Sequence, residues 1–205
     1  MSARWEEILS IAARLFRKKG YRATKLEDIA EELNITKPAL YYYINSKHDL
    51  LFAICETAIN SLLEEASQVV SLDIGNEEKM KRLIHYHINM FANHGDITHV
   101  YLADESELPN EQREKIRNLS KEYETTLKKV LELGVREKVF RPLNVSLTAK
   151  AISGMCNWLS DWYRDDGELN TDEIAEIYYD LLLNGCKKHA AAEKNLITTK
   201  SDSSS

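Results

Sequence analysis

The sequence predicts an all-α fold, and three observations carry that prediction. Apolar residues recur at spacings of three and four along nearly the whole chain, the period of a helix that buries one face. Seven Gly and three Pro in 205 residues are too few for a protein of strands and tight turns. Residues that start and stop helices stand where the apolar stripes begin and end.

The elements follow in order. Ile8, Ile11, Ala12, Leu15 and Phe16 share one face of a first helix, and Gly20 stops it just after Arg17, Lys18 and Lys19, whose charge suits a helix C-terminus. Thr24 to Glu27 reads as a capping box opening a short second helix with Leu26, Ile29, Ala30 and Leu33 inward. Asn34 to Thr36 leaves room only for a tight turn. Thr36 is expected to cap a third helix from Lys37 to about Tyr43, with Pro38 in the first turn, where no intrahelical donor is required. Ser46 to Asp49 reads as another cap, after which Leu51, Ile54, Ala58, Leu62, Ala66 and Val69 mark one face of a helix over 47–71, about 37 Å long. Gly75-Asn76 closes it. Further helices are expected from about Glu77 to Asn93, ending near Gly95, around His99–Ser106, and after Pro109, where Ile116, Leu119, Tyr123, Leu127, Val130 and Leu131 lie on one side until Phe140-Arg141-Pro142. Ser146 is expected to cap a helix carrying Ile152, Met155, Leu159 and Trp162, and Thr171-Asp172 to open a last one carrying Ile174, Ile177, Tyr178, Leu181 and Leu182. The division is therefore 1–46, then 47–193 with helix 47–71 as the link, then a tail, 194–205, with nothing to bury and expected to be disordered.

Composition excludes several classes. No apolar run approaches the ~18 residues of a membrane span, and Met1–Glu7 lacks an apolar stretch with a cleavage site, so a cytoplasmic protein without membrane contact is expected. Three widely spaced cysteines, Cys55, Cys156 and Cys186, fit neither a disulfide framework nor a zinc site and read as core or interface residues. His85 and His87, two apart, point about 200° apart on a helix and cannot share a metal. His94 and His99 straddle a loop and stay open as a pair. No nucleophile elbow, phosphate-cradling glycine loop or zinc signature is present, so no cofactor or metal is expected and an all-α metal- or His-dependent enzyme is the disfavoured alternative.

The formal charge of −6 hides a split. Residues 1–50 hold nine Lys/Arg against seven Asp/Glu, and residues 51–205 hold 18 against 26. Six basic residues, Arg14, Arg17, Lys18, Lys19, Arg22 and Lys25, lie between Glu7 and Glu27 with no acid among them. Such asymmetry points to an N-terminal segment that meets a polyanion, with a solvated helix face as the other reading. The second helix, turn and third helix have the spacing of a helix-turn-helix, whose second helix lies in the major groove of DNA. If Ile35, Leu40 and Ile44 point inward, Thr36, Lys37, Tyr41 and Tyr42 point out. At 100° per residue at least one of three consecutive tyrosines must be exposed. Hydroxyl and amine donors suit phosphate, and Thr or Tyr can also touch a thymine methyl.

Residues 8–54 carry a resemblance. Ile8-Leu9 through Phe16, Gly20-Tyr21-Arg22-Ala23-Thr24, Asp28-Ile29-Ala30, Ile35 to Ile44 and Ser46-Lys47-His48-Asp49-Leu50-Leu51 closely resemble the N-terminal domain of the tetracycline-repressor (TetR/AcrR) family. The sequence departs from the family pattern at Lys25, where a second Thr is common, at Pro38, where a small residue is common, and at Ile44, where Phe is common. Pro38 also has no backbone amide to offer a ligand. The resemblance implies a homodimeric transcriptional regulator of nine or so helices, usually a repressor, on a palindromic operator of double-stranded DNA; an activator or a ligand-independent regulator is the alternative within the family. By position, Thr36, Lys37, Tyr41, Tyr42 and Lys47 match family DNA contacts, Thr24 and Lys25 match phosphate-facing positions, and Pro38 and Tyr43 complete the surface. Lys25 and Lys47 are assigned to phosphate, and Lys37, Tyr41 and Tyr42 to base edges or mixed contacts.

A palindrome needs a two-fold partner. Helices at about 146–166 and 172–190, with Ala151, Gly154, Leu181 and Gly185 permitting close approach, are the expected four-helix dimer pair. Residues 77–140 are then expected to enclose a small-molecule effector, with Tyr86, Met90, Phe91, His94, Tyr101, Tyr123 and Trp158 as candidate lining. Arg136–Pro142, Ile152–Met155 and Trp158 to Arg164 resemble the branch that regulates fatty-acid, sterol or aromatic-acid breakdown, which implies an acyl-CoA effector. Arg113, Arg117 and Lys121 are either partners for CoA phosphates or ion-pair partners of Glu114 and Glu124.

Overall fold

A computed structural model describes residues 3–164 and 166–185. Within them lie α1 (Ala3–Lys19), α2 (Leu26–Glu32), α3 (Lys37–Leu40), α4 (Lys47–Ser71), α5 (Asn76–Asp104), a 3-10 turn at Glu105–Glu107, α6 (Asn110–Arg136), α7 (Val145–Asn157), α8 (Leu159–Trp162) and α9 (Thr171–Asn184). The all-α class holds, and no strand occurs among the described residues. None of these helices is long and apolar enough to cross a membrane. Cys186, the end of the last expected helix and the tail 194–205 lie outside the described residues.

The short helices α1 to α3 form one unit around Ile8, Phe16, Ile29 and Leu40, all essentially buried. Gly20, at φ +84°, turns the chain out of α1, a conformation that costs glycine little. Asn34, at φ 54°, makes the turn between α2 and α3. Ser46 caps α4 by accepting from the amide of Asp49 at 3.1 Å. The link helix α4 and the long α6 both pack on α5, which also touches α1, α7, α8 and α9. α5 is thus the spine of the molecule.

Several boundaries differ from expectation. Thr24 does not cap α2: Lys25 holds the cap position, and its amide donates to Asp28 at 2.9 Å. Asn144 replaces Ser146 as the cap of α7, accepting from Leu147 N at 3.0 Å. Asn170 replaces Thr171 at α9, in a reciprocal box with Glu173. The expected helix 146–166 is divided at Trp158 into α7 and α8. The two helices expected at 77–93 and 99–106 are one element, α5, broken at His94 (φ −141°, ψ 40°), and the backbone resumes helical geometry at once. Thr98 Oγ1 donates to Met90 O at 3.3 Å across that break.

Candidate nucleic-acid interface and ligand cavities

The turn and third helix present the surface the sequence assigned to it. Thr36 caps α3, its hydroxyl accepting from Ala39 N at 3.3 Å. Regular helix ends at Leu40, and Tyr41 to Tyr43 continue as hydrogen-bonded turns, with Tyr43 N donating to Leu40 O at 2.9 Å. Leu40 and Ile44 are buried, whereas Thr36, Lys37 and Pro38 are exposed. Tyr42 is 87% exposed and stacks edge-on against Tyr43; Tyr41 and Tyr43 are about half as exposed. Burial of two aliphatic anchors therefore forces the hydroxyls outward, because residues one and two steps away lie on other faces. Lys37 Nζ sits 2.7 Å from a Glu27 carboxylate oxygen and 5.7 Å from the Tyr41 ring. The pairing holds the Glu27 carboxyl below its ordinary value and raises the Lys37 ammonium.

Two expected phosphate contacts have other work. Thr24 is only 1% exposed, and its hydroxyl points inward to Gly20 O at 2.9 Å and Leu15 O at 3.2 Å. Lys47 lies over the Tyr21 ring at 4.3 Å, with its ammonium 2.8 Å from Tyr21 O, 3.0 Å from Thr24 O and 3.4 Å from Arg22 O. A primary ammonium has three donors, and this one directs them at three backbone carbonyls. Lys25 stays exposed beside the N-terminus of α2. Much of the basic run is also committed: Arg14 to Glu32 (2.8 Å), Lys19 to Asp28 (3.4 Å), Arg17 to Asp96 (2.9 Å) and Arg22 to Glu107 (2.8 Å). The last two tie the N-terminal unit to α5 and the 3-10 turn that follows it, and Gln112 of α6 donates to Asp49 of α4 at 3.1 Å. Arg22, Asp96 and Glu107 were not legible as partners, since each pair spans about eighty residues of chain.

The seven expected effector residues separate. Met90 and His94 line a first cavity of about 430 Å³ between α1, α4 and the α5 break. Phe91 lines a second, of about 280 Å³, on the other side of the break, together with Arg17, His99, Tyr163 and Arg164. His94 and His99 thus serve different cavities, and no group of three metal-ligating side chains forms among the described residues. Tyr101, bonded to Ser120 at 2.9 Å, packs against the core. Tyr123 is buried, its hydroxyl 3.2 Å from His87 Nδ1, while His87 Nε2 lies 2.9 Å from Asn157 Oδ1. Amide oxygen accepts only, so Nε2 carries the ring proton and Nδ1 accepts from the tyrosine. Burial depresses His87 to about 4 and raises Tyr123, keeping both neutral. Tyr86 and Trp158 do not enter these cavities: Tyr86 borders a shallow outer groove on α5, and Trp158 is 61% exposed. Arg117 pairs with Glu105 at 3.1 Å and Arg113 with Asn110, not with Glu114; Glu124 is taken by Lys128 at 2.6 Å. Cys55 and Cys156 are buried, which pushes both thiols up to about 12.

An apolar face is left outside. Leu147 (65% exposed), Ala151 and Gly154 of α7 and Trp158 just after it follow steps of four, three and four, and Ile177 (51% exposed) and Leu181 lie exposed four apart on α9. A Cβ added at Gly154 would meet nothing within 4 Å, so this stretch of α7 is open to a close neighbour.

Residues 8–54 match the family described as bacterial regulatory proteins, tetR family, and residues 73–186 match the tetracyclin repressor-like C-terminal domain. The chain belongs to the TetR family. It is 27% identical over 187 residues to the HTH-type transcriptional repressor KstR2 of Rhodococcus jostii (strain RHA1), covering 90% of this chain and 91% of that protein. The TetR family regulator PfmR of Thermus thermophilus superposes with a TM-score of 0.84 at 32% identity, over 88% of this chain and 99% of its own. AibR, solved in complex with isovaleryl coenzyme A and operator DNA, superposes with a TM-score of 0.80 at 27% identity, over 88% and 98% of the two chains. Regulators of the TetR family bind operator DNA as dimers, and the helix-turn-helix described above is the TetR DNA-binding element.

Proposed function

We propose that this TetR-family chain is a cytoplasmic, ligand-released repressor that grips a palindromic operator as a homodimer, with the division 1–46 for DNA and 47–193 for ligand and partner. One observation carries the DNA reading: Leu40 and Ile44 are buried while Thr36, Lys37, Tyr41 and Tyr42 are exposed on the same short segment. Lys37, Tyr41 and Tyr42 read bases, Thr36, Pro38 and Tyr43 shape the contact, and Lys25 meets phosphate. Lys47 and Thr24 serve the surface by fixing the loop between α1 and α2. The exposed stripe of α7 and α9 supplies the two-fold partner face. The chain acts by binding rather than catalysis, a reading supported by the commitment of buried His87 to Tyr123 and Asn157.

The effector is an acyl-CoA thioester. Likeness to AibR supports this class, as does Arg164 beside the apolar Phe91 and Leu159 of the second cavity, whose lining also holds Asp166 and the Asp96-paired Arg17. Selection of bound DNA from random sequence, followed by footprinting, should return a palindrome protected on two half-sites. Isovaleryl-CoA and long-chain acyl-CoA should each then be tested for thermal stabilisation and operator release. No stabilisation by any acyl-CoA would remove the effector class and leave the DNA reading standing.

A further inference from the structure

We propose that the first cavity is a second ligand site, distinct from the acyl-CoA site, for an uncharged or monocationic amphipathic molecule. Its volume of about 430 Å³ falls within the range of small-molecule sites. It exists because α5 loses helical geometry at His94, and because α4 offers only Thr57, Ala58 and Ser61 opposite the break. Small side chains across from a helix break leave space that bulkier ones would fill.

The lining sets the ligand class. Leu9, Ala58, Met90 and Ile97 make an apolar floor. The charged residues of the lining are Glu6 and Asp96, with no Lys or Arg among them. Arg17 pairs with Asp96 at 2.9 Å, so the exposed Glu6 is the remaining charge of the lining. A carboxylate or phosphate ligand meets repulsion there, while an ammonium or hydroxyl finds acceptors.

Position gives the site its effect. Glu6, Leu9 and Ser10 belong to α1, which packs directly on α2 of the helix-turn-helix. An occupant therefore contacts the DNA-binding unit, the link helix α4 and the spine α5 at once. Binding that favours one arrangement of α1 over another shifts their populations.

The test uses the full chain carrying ¹³C-methyl methionine, with the Met90 resonance assigned by Met90→Leu. The probes are 4-phenylbutylamine, 4-phenylbutanol and 4-phenylbutyrate. The amine and the alcohol should move the Met90 signal saturably and the carboxylate should not. Ser10→Trp and Ser61→Leu, which fill the cavity from two helices, should each abolish the shift, and Glu6→Gln should remove the advantage of the amine over the alcohol. Saturating amine should change operator affinity by at least about fivefold. A Met90 signal unmoved by all three probes, equal binding of the carboxylate, a shift that survives both filling variants, or operator affinity indifferent to saturating amine overturns the proposal. Acyl-CoA binding is read separately by thermal shift, so loss of one site does not count against the other.

Discussion

At the start of α4, Lys47 directs its ammonium at three carbonyls of the loop between α1 and α2. A cation satisfied in this way acts on DNA through the position of that loop. Lys47→Met keeps the packing over Tyr21 and removes the donors, so stability should fall by about 1–3 kcal/mol in urea denaturation. Operator affinity should drop with it while the slope of log K against log salt stays unchanged; a slope lower by about one would return Lys47 to phosphate. His87 supplies a second prediction. Burial lowers its folded value to about 4, whereas the unfolded chain takes the proton near 6.5. Below 6.5 the unfolded state binds more protons, so stability falls by about 1.4 kcal/mol per pH unit until about pH 4. Carboxylates held low by Lys37 and Lys128 add their own loss in acid, but His87→Gln leaves those in place. The difference between the two proteins in calorimetric stability from pH 7 to 4 should narrow as pH falls; a constant difference contradicts the assignment. Capping was legible at Thr36 and Ser46. At α7 and α9 it was displaced, because Asn144 and Asn170 take the cap ahead of Ser146 and Thr171.

The helices themselves were readable because burial of one face writes a 3.6-residue period into the sequence. The break in α5 was half readable. Gly95 marked its place, but resumption of the helix beyond His94 depends on packing against α1 and α4, which no local pattern encodes. The outward stripe on α7 and α9 looks in sequence like any core stripe, and only the lack of a covering element among the described residues separates the two. Ile177→Glu places a charge on that stripe without touching the core, so it should convert dimer to monomer in sedimentation velocity with helicity retained. A dimer of wild-type affinity would move the partner face elsewhere.

Across the whole molecule, the N-terminal unit is tied to the upper helices by Arg17–Asp96 and Arg22–Glu107, and α4 to α6 by Asp49–Gln112. Sequence separation hides such pairs, and the same holds for the cavities: which aromatic faces which space is set by how helices cross, so Met90, Phe91 and Tyr123, close to one another in the expected list, end in three environments. Glu107 holds Arg22 away from any phosphate, and that pairing keeps the Glu107 carboxyl below its ordinary value. Glu107→Gln should therefore tighten operator binding at low salt and steepen the salt slope by about one; an unchanged slope would mean that Arg22 never reaches DNA.

The central claim is that the Thr36–Ile44 surface of two chains reads duplex DNA. Fluorescence anisotropy of the selected palindrome across a salt series, for wild type and for Tyr42→Ala and Lys37→Ala, tests it most directly. The account predicts at least two chains per site, affinity that falls linearly with log salt, and a loss of about 1–3 kcal/mol of sequence discrimination in each variant. Binding that is indifferent to salt and to both substitutions, or no binding at any ionic strength, would contradict it.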